Sequence, residues 1–284
     1  MKNLIRFDWA LKRLLRNKAN YKVLEGFMSE LLNEDIIIIN IIESESNQET
    51  EDDKFNRVDL LVENSKKELI IIEIQQRNEF DYFHRILYGA SKLISEYLNL
   101  GDKYQNVKKV YSVNIIYFDL GQGEDYVYHG KTEFQGIHRH DKLLLSETQI
   151  AKFHKYTPEQ IFPEYYIIKV NRFDDFAKST LDEWIYYLKN DEIKDEFKAK
   201  GLAEVKEILK VDKLSEKDRR AYKRYWENKS YEASIVDTIK FEAEYKIRKE
   251  NSIEICKQML KDGEPIEKIM KYTGLSKQEI ENIK

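Results

Sequence analysis

Apolar residues recur at helical spacing at the start of the chain, in Phe7, Leu11, Leu14 and Leu15. They do so again from Tyr21 to Leu32, through Val23, Leu24, Phe27, Met28, Leu31 and Leu32. That period turns one face of each helix toward a core. The pattern then shortens. Ile36 to Ile42 is a β-branched run broken only by Asn40, which predicts a first strand, and the polar, acidic stretch Glu43 to Asp53 predicts a loop. Arg57 to Gln76 holds two further apolar runs split by a polar turn, the pattern of a hairpin of buried strands. Helical spacing returns from Glu79 to Leu100. There Phe83, Leu87, Ala90, Leu93, Ile94 and Tyr97 are expected to face inward and Gly101 to end the helix. Val107 to Phe118 alternates as a fourth strand, Gly121 to Gly123 turns the chain, Tyr126 to His129 predicts a short edge strand, and Tyr165 to Val170 another. From Phe173 the pattern is almost wholly helical, with Phe176, Leu181, Trp184, Ile185, Tyr187 and Leu188 in one amphipathic segment. The element order predicts an α/β fold with an αβββαβ core, a mixed sheet and a crossover helix, followed by a mainly α-helical C-terminal region.

Three polar side chains sit inside the apolar runs of the hairpin: Asp59, Glu73 and Gln75. Burying an unpaired carboxylate costs several kcal/mol or more, so each acidic residue needs a partner. Side chains alternate along a strand, which sets Glu73 and Gln75 on one face and Ile72 and Ile74 on the other. Directly opposed residues in a hairpin have numbers of constant sum. Asp59 therefore faces Glu73 only across a loop of odd length, such as Ser65-Lys66-Lys67, or a bulge. Two carboxylates converging beside an amide make an oxygen-rich site suited to a hard divalent cation, Mg²⁺ or Mn²⁺, and a phosphodiester is the natural substrate for such a site.

Asp59 followed by Glu73-Ile74-Gln75 resembles the D…(D/E)-x-K signature of the PD-(D/E)XK nuclease superfamily, with Gln75 in place of the lysine. The branch it most resembles is that of the Rpn-type recombination-promoting nucleases, often labelled transposases. The similarity runs from Phe7-Asp-Trp-Ala-Leu-Lys-Arg-Leu-Leu15 through Phe134-Gln-Gly-Ile-His138 to Leu181-Asp-Glu-Trp-Ile185. The resemblance implies a restriction-endonuclease-like core and a DNA endonuclease that uses Mg²⁺ or Mn²⁺. Asp59, Glu73 and the main-chain carbonyl of Ile74 would hold the metal, and Gln75 would orient water by hydrogen bonds, since an amide cannot supply the charge of a lysine. In the family the helix before the sheet often adds an acidic group; here that is Glu25, whose plainer reading is a solvated helix-surface glutamate. Arg77 and Arg85, beside the site, are candidates for DNA phosphate contact, with surface ion pairs as the alternative. A catalytically inactive nuclease-like scaffold that binds nucleic acid or a partner protein is the competing reading, and strand transfer, which needs a further carboxylate, is less favoured.

Composition adjusts this picture in three ways. The net charge of −4, from 48 basic and 52 acidic residues, lends no whole-chain attraction for nucleic acid, so phosphate contact must rest on local patches and metal. The single cysteine, Cys256, excludes an internal disulfide and a cysteine zinc cage. With no leader-like start and no run of about 20 apolar residues, a cytoplasmic protein with no membrane partner is expected. His138 and His140, with Asp141 and His154, invite a zinc reading whose bland alternative is exposed loop histidines. The expected organisation is a nuclease-like domain over 1–172, a helical region over 173–250 that caps the core, pairs two subunits as a homodimer or clasps DNA, and a small helical tail over 251–284. In that tail Thr273-Gly-Leu-Ser276 resembles the turn of a helix-turn-helix, with Ser276 as helix cap; a packing hairpin is the alternative.

Overall fold

The computed structural model describes residues 4–15, 17–42, 59–99 and 101–283. The acidic stretch from Glu43 and the first two hairpin residues, Arg57 and Val58, lie outside them. Contacts divide the chain into two units, Met1–Leu214 and Ser215–Lys284. The first unit opens with α1 (Phe7–Arg13) and α2 (Tyr21–Leu32), followed by β1 (Ile38–Ile42), β2 (Leu60–Asn64) and β3 (Leu69–Gln75). Next come α3 (Tyr82–Glu96), β4 (Val110–Ile116), β5 (Val127–Gly130), α4 (Glu147–Phe153) and β6 (Glu164–Lys169). α5 (Thr180–Asn190) and α6 (Leu202–Ile208), which the sequence pattern groups with the helical region, belong to this unit.

Among the described residues, six strands form one mixed sheet in the order β1-β2-β3-β4-β6-β5. β3 pairs parallel with β4, and β4 with β6, while the β1–β2, β2–β3 and β5–β6 pairs are antiparallel. This is the expected mixed α/β arrangement, with α3 as the crossover. β3 lies between two neighbours and is buried from Leu69 to Ile74, which is why it reads as a near-continuous apolar run and not an alternating one.

The hairpin register decides the site. Leu60 opposes Ile72 and Glu63 opposes Leu69, so the register is of even sum and one further step sets Asp59 opposite Glu73. The loop is Ser65-Lys66-Lys67, of odd length as the geometry requires. Buried Asn64 shapes it: its Oδ1 accepts from the N–H of Lys66 at 3.0 Å and of Glu68 at 2.9 Å, while Lys67 takes a left-handed φ of 61°.

On the face of the sheet shared with Glu73, Leu61, Leu69, Ile71 and Val110 pack against Ala90 and Leu93 of α3. Phe83 and Leu87, expected to face inward, do not: they are 51% and 56% exposed, and Tyr82 and Ile86 take the inward positions against Ile116. Two apolar stripes run down α3 one residue apart and converge at Ala90, so periodicity alone leaves a rotation of about 100° open. The Tyr82 hydroxyl resolves it by donating to Asn114 Oδ1 at 3.2 Å.

α1, α2 and α5 meet in an aromatic cluster of Phe7, Phe27, Trp184 and Tyr187 with edge-on ring contacts. Gly26 of α2 lies so close to the loop before α6 that a Cβ there would come within 2.4 Å of the Lys200 carbonyl oxygen and 2.5 Å of Gly201 Cα. Gly26→Ala is therefore expected to destabilise the protein by about 1–3 kcal/mol, read as a lowered urea midpoint, because both obstacles are backbone.

The second unit holds α7 (Glu216–Lys261), α8 (Ile266–Thr273) and α9 (Lys277–Glu281). Cys256, Ile269, Leu275 and Ile280 form its small core. Gly274 ends α8 at φ 70°, and Ser276 caps α9 in a reciprocal pair with Glu279, the turn and cap expected from the sequence. Among the described residues no helix is long and apolar enough to cross a membrane.

Candidate active site

Asp59 stands at the start of β2, half-buried, and its Oδ2 accepts from the backbone N–H of Ile74 at 2.8 Å. The N–H and C=O of one strand residue point the same way, so the Ile74 carbonyl also turns toward the side where Asp59 stands. Glu73 is 6% exposed. Its Oε2 is buried without a hydrogen-bond partner, and the nearest cation, Arg85 Nη2, lies 3.7 Å away. Burial pushes the Glu73 carboxyl up to about 7; Arg85 opposes that rise, while the negative charges of Asp59 and then Glu79 add to it. Asp59 and Glu73 are thus close enough to repel one another electrostatically.

Gln75 shares this face, and its Nε2 donates to Glu79 Oε1 in the loop before α3. Glu79 in turn takes both its oxygens to Arg85 Nη1, at 2.8 and 3.0 Å. Arg85 is half-buried and its Nε lacks a hydrogen-bond partner. The chain of contacts therefore runs Gln75, Glu79, Arg85, Glu73, and it closes one side of the carboxylate pair. Arg77 is exposed in the β3–α3 connection. Beneath Glu73, fully buried Asn114 of β4 is its register partner and donates to Ser112 and to the Tyr166 carbonyl, which fixes the floor of the site.

Glu25 does not join the pair. Its Oε1 accepts from the N–H of Ile38 at 2.9 Å and so fastens α2 to the start of β1. His138, His140, Asp141 and His154 do not gather either: among the described residues no three His, Cys, Asp or Glu side chains converge to hold a metal. A cation at Asp59 and Glu73 would therefore draw its remaining oxygens from the Ile74 carbonyl, water or substrate. The residues present fit one, since a buried carboxylate oxygen without a partner and two mutually repelling carboxylates are what a hard divalent ion relieves.

Sequence reasoning passed over two carboxylates here. Glu79 ties Gln75 to Arg85, as described. Asp8 of α1 is 7% exposed and accepts from Gln76 Nε2 at 3.2 Å, from its neighbour Trp9 N–H at 2.9 Å and from Arg6 Nε at 3.2 Å. Asp8 carries the same signal that marks Asp59 and Glu73, an acid within an apolar stretch, Leu-Ile-Arg-Phe-Asp-Trp-Ala-Leu. Glu79 carries none, because a polar loop glutamate is ordinary.

Residues 5–239 match the family described as PD-(D/E)XK nuclease family transposase. The chain belongs to that nuclease family. Residues 249–284 match a second family, the Rpn/YhgA-like nuclease family, C-terminal HTH domain, which covers the end of α7 with α8 and α9. No curated protein and no solved structure matches the chain. Nucleases of this superfamily generally use divalent metals, and the two matches together favour DNA as the partner of this nuclease.

Proposed function

We propose that this nuclease is a divalent-metal-dependent DNA endonuclease acting in the cytoplasm, with Asp59, Glu73 and Gln75 at its centre. The observation that carries the reading is the opposition of Asp59 and Glu73 on one sheet face, with a buried Glu73 oxygen that has no hydrogen-bond partner. Asp59, Glu73 and the Ile74 carbonyl would hold Mg²⁺ or Mn²⁺, which when bound supplies charge for the phosphate and acidifies a water. Gln75 orients the attacking water through its amide oxygen, the amide nitrogen being committed to Glu79. Arg85, poised between Glu73 and Glu79, offers the phosphate a guanidinium. Arg77, exposed in the connection that follows β3, contacts a flanking phosphate. The product is a strand break with 5′-phosphate and 3′-hydroxyl ends, and recombination of mobile DNA is a use for such breaks.

The test is incubation of supercoiled plasmid with the full chain in Mg²⁺, Mn²⁺ or chelator. Nicking that requires the metal is the expected result. A second reading is favoured by one feature, the amide at position 75 with its nitrogen committed to Glu79: a scaffold that binds DNA without cutting it. Retardation of DNA by folded protein with no cleavage in either metal would select that reading and sink the first.

A further inference from the structure

A groove of about 420 Å³ opens on the same sheet face as Glu73, between α3 and the β5–β6 edge. Tyr165, Ile167 and Lys169, alternate residues of β6, line it from the sheet; Phe83, Ile86 and Leu87 line it from α3. Phe83 and Leu87, two of the α3 residues that the sequence pattern assigns to the core, are thus the exposed apolar wall of a pocket. Its position relative to the carboxylate pair follows from the register. Glu73 pairs with Asn114, which pairs with Ile167, and Gln75 pairs with Ile116, which pairs with Lys169. The β6 wall therefore stands two strand spacings from the carboxylate site, roughly 10 Å, on the same face.

Lys169 sets this groove apart from an ordinary apolar crease. It is 2% exposed, its ammonium makes no hydrogen bond or ion pair with the described residues, and it lies over the ring of Tyr128, 5.4 Å from the centroid. The Tyr128 hydroxyl, also lining the groove, is buried without a hydrogen-bond partner. Gly123 presses on that hydroxyl so closely that a Cβ would meet it at 2.3 Å, which holds the ring in place. An ammonium with no hydrogen bond or ion pair to the described residues, beside a buried hydroxyl that lacks a hydrogen-bond partner, leaves polar groups at one apolar slot for a ligand that brings acceptors.

We infer that this groove receives an unstacked base of the DNA strand, and that the base it favours is guanine. The inference rests on the DNA-cleaving reading above and names a specificity for it. Apolar and aromatic walls take the faces of a base, as in enzymes that draw a nucleotide out of the stack, while polar groups at the pocket read its edge. Guanine offers the adjacent acceptors O6 and N7 that a lysine ammonium engages, where adenine sets a donor beside N7; cytosine also has two adjacent acceptors, O2 and N3, but its single ring covers less of the apolar walls than a purine does. Tyr128 supplies a hydroxyl that donates or accepts. The separation of roughly 10 Å from Glu73 places the bound base a few nucleotides from the scissile phosphate, so it would bias where cleavage falls and not perform it.

The experiment is fluorescence-polarisation binding of labelled single-stranded oligothymidylate carrying one central guanine, adenine, cytosine or abasic position, in chelator so that nothing is cut. Wild-type protein is compared with Lys169→Met, which keeps the length of the side chain and removes its charge. Wild type is expected to bind the guanine strand about ten-fold tighter than the thymine or abasic strands, and Lys169→Met to bind all of them alike at the level of the abasic strand. The variant is also expected to melt close to wild type, because the ammonium makes no hydrogen bond or ion pair with the described residues that the change would break; this separates loss of recognition from loss of fold. Equal affinity of wild type for all strands, or a guanine preference that survives in Lys169→Met, overturns the inference and leaves the nuclease reading standing. Absence of any DNA binding, together with absence of plasmid cleavage, overturns both.

Discussion

In metal-free buffer the stability of the first unit is expected to fall as pH rises from about 4.5 to about 7, by roughly 3 kcal/mol, and to stay low above that. The source is Glu73, whose carboxyl is raised from 4.5 to about 7 by burial, with Asp59 and Glu79 adding to the rise and Arg85 opposing it. In the unfolded chain the group loses its proton near 4.5; in the folded protein it keeps it to about 7. Between these values the folded state binds more protons, so raising the pH favours unfolding. Most carboxylates give the opposite sign, which makes the trend diagnostic. Glu73→Gln should flatten it and leave the variant more stable than wild type at pH 8, since a neutral amide replaces a repelled charge. Added Mg²⁺ or Mn²⁺ should stabilise wild type above pH 7, by about 2.7 kcal/mol at a hundred times the dissociation constant, and should do little at pH 5, where Glu73 holds its proton. At metal concentrations below saturation, cleavage should fade below about pH 7 for the same reason, and saturating metal should move that fall to lower pH. Urea unfolding at pH 5, 6, 7 and 8, with and without metal, reads all of this. A wild-type curve that rises with pH across that range would show that Glu73 is ionised throughout and that the site is not built as described.

The hairpin was legible because two independent constraints met in it. Acidic residues in apolar runs are costly, and an odd loop fixes which of them face one another; Ser65-Lys66-Lys67 supplied the loop and Leu60 opposite Ile72 the register. The element order was legible for a related reason: β-branched runs, helical stripes and Gly or polar breaks alternate along the first unit without ambiguity. Rotation of α3 was not legible. Tyr82-Ile86 and Phe83-Leu87 are equally apolar stripes, and the choice between them rests on a hydrogen bond to Asn114, a residue on another strand. Lys169 hides for a comparable reason. A lysine at the end of an apolar run looks like the point where a strand reaches water, yet β6 is flanked by β4 and β5 and its lysine is enclosed. The link from Gln75 through Glu79 to Arg85 joins a strand, a loop and a helix, so no local spacing announces it. Local pattern thus reaches the pair of carboxylates, and tertiary packing supplies the groups that orient what surrounds them.

Asp59→Ala should abolish cleavage, lowering the rate more than about 100-fold, while the protein stays folded. Two effects of the change oppose one another in stability. Losing Asp59 strands the Ile74 N–H, which donates to Oδ2 at 2.8 Å, and this costs about 1 kcal/mol or more. It also removes a negative charge that repels Glu73. The net shift in metal-free melting is therefore expected to be small, whereas stabilisation by added metal should vanish. Asp59→Asn separates the two roles of the side chain. It keeps an oxygen for the Ile74 N–H but carries no charge, so it should fold as well as wild type and still fail to cut or to gain stability from Mg²⁺. Were Asp59→Asn to cleave at near the wild-type rate, the side chain would be serving as a hydrogen-bond acceptor that sets the strand, and the metal would have to be held elsewhere. Loss of both cleavage and metal stabilisation in Asp59→Asn, with Gly26→Ala retaining metal stabilisation despite its lower midpoint, would tie the effect to the carboxylate and not to the fold.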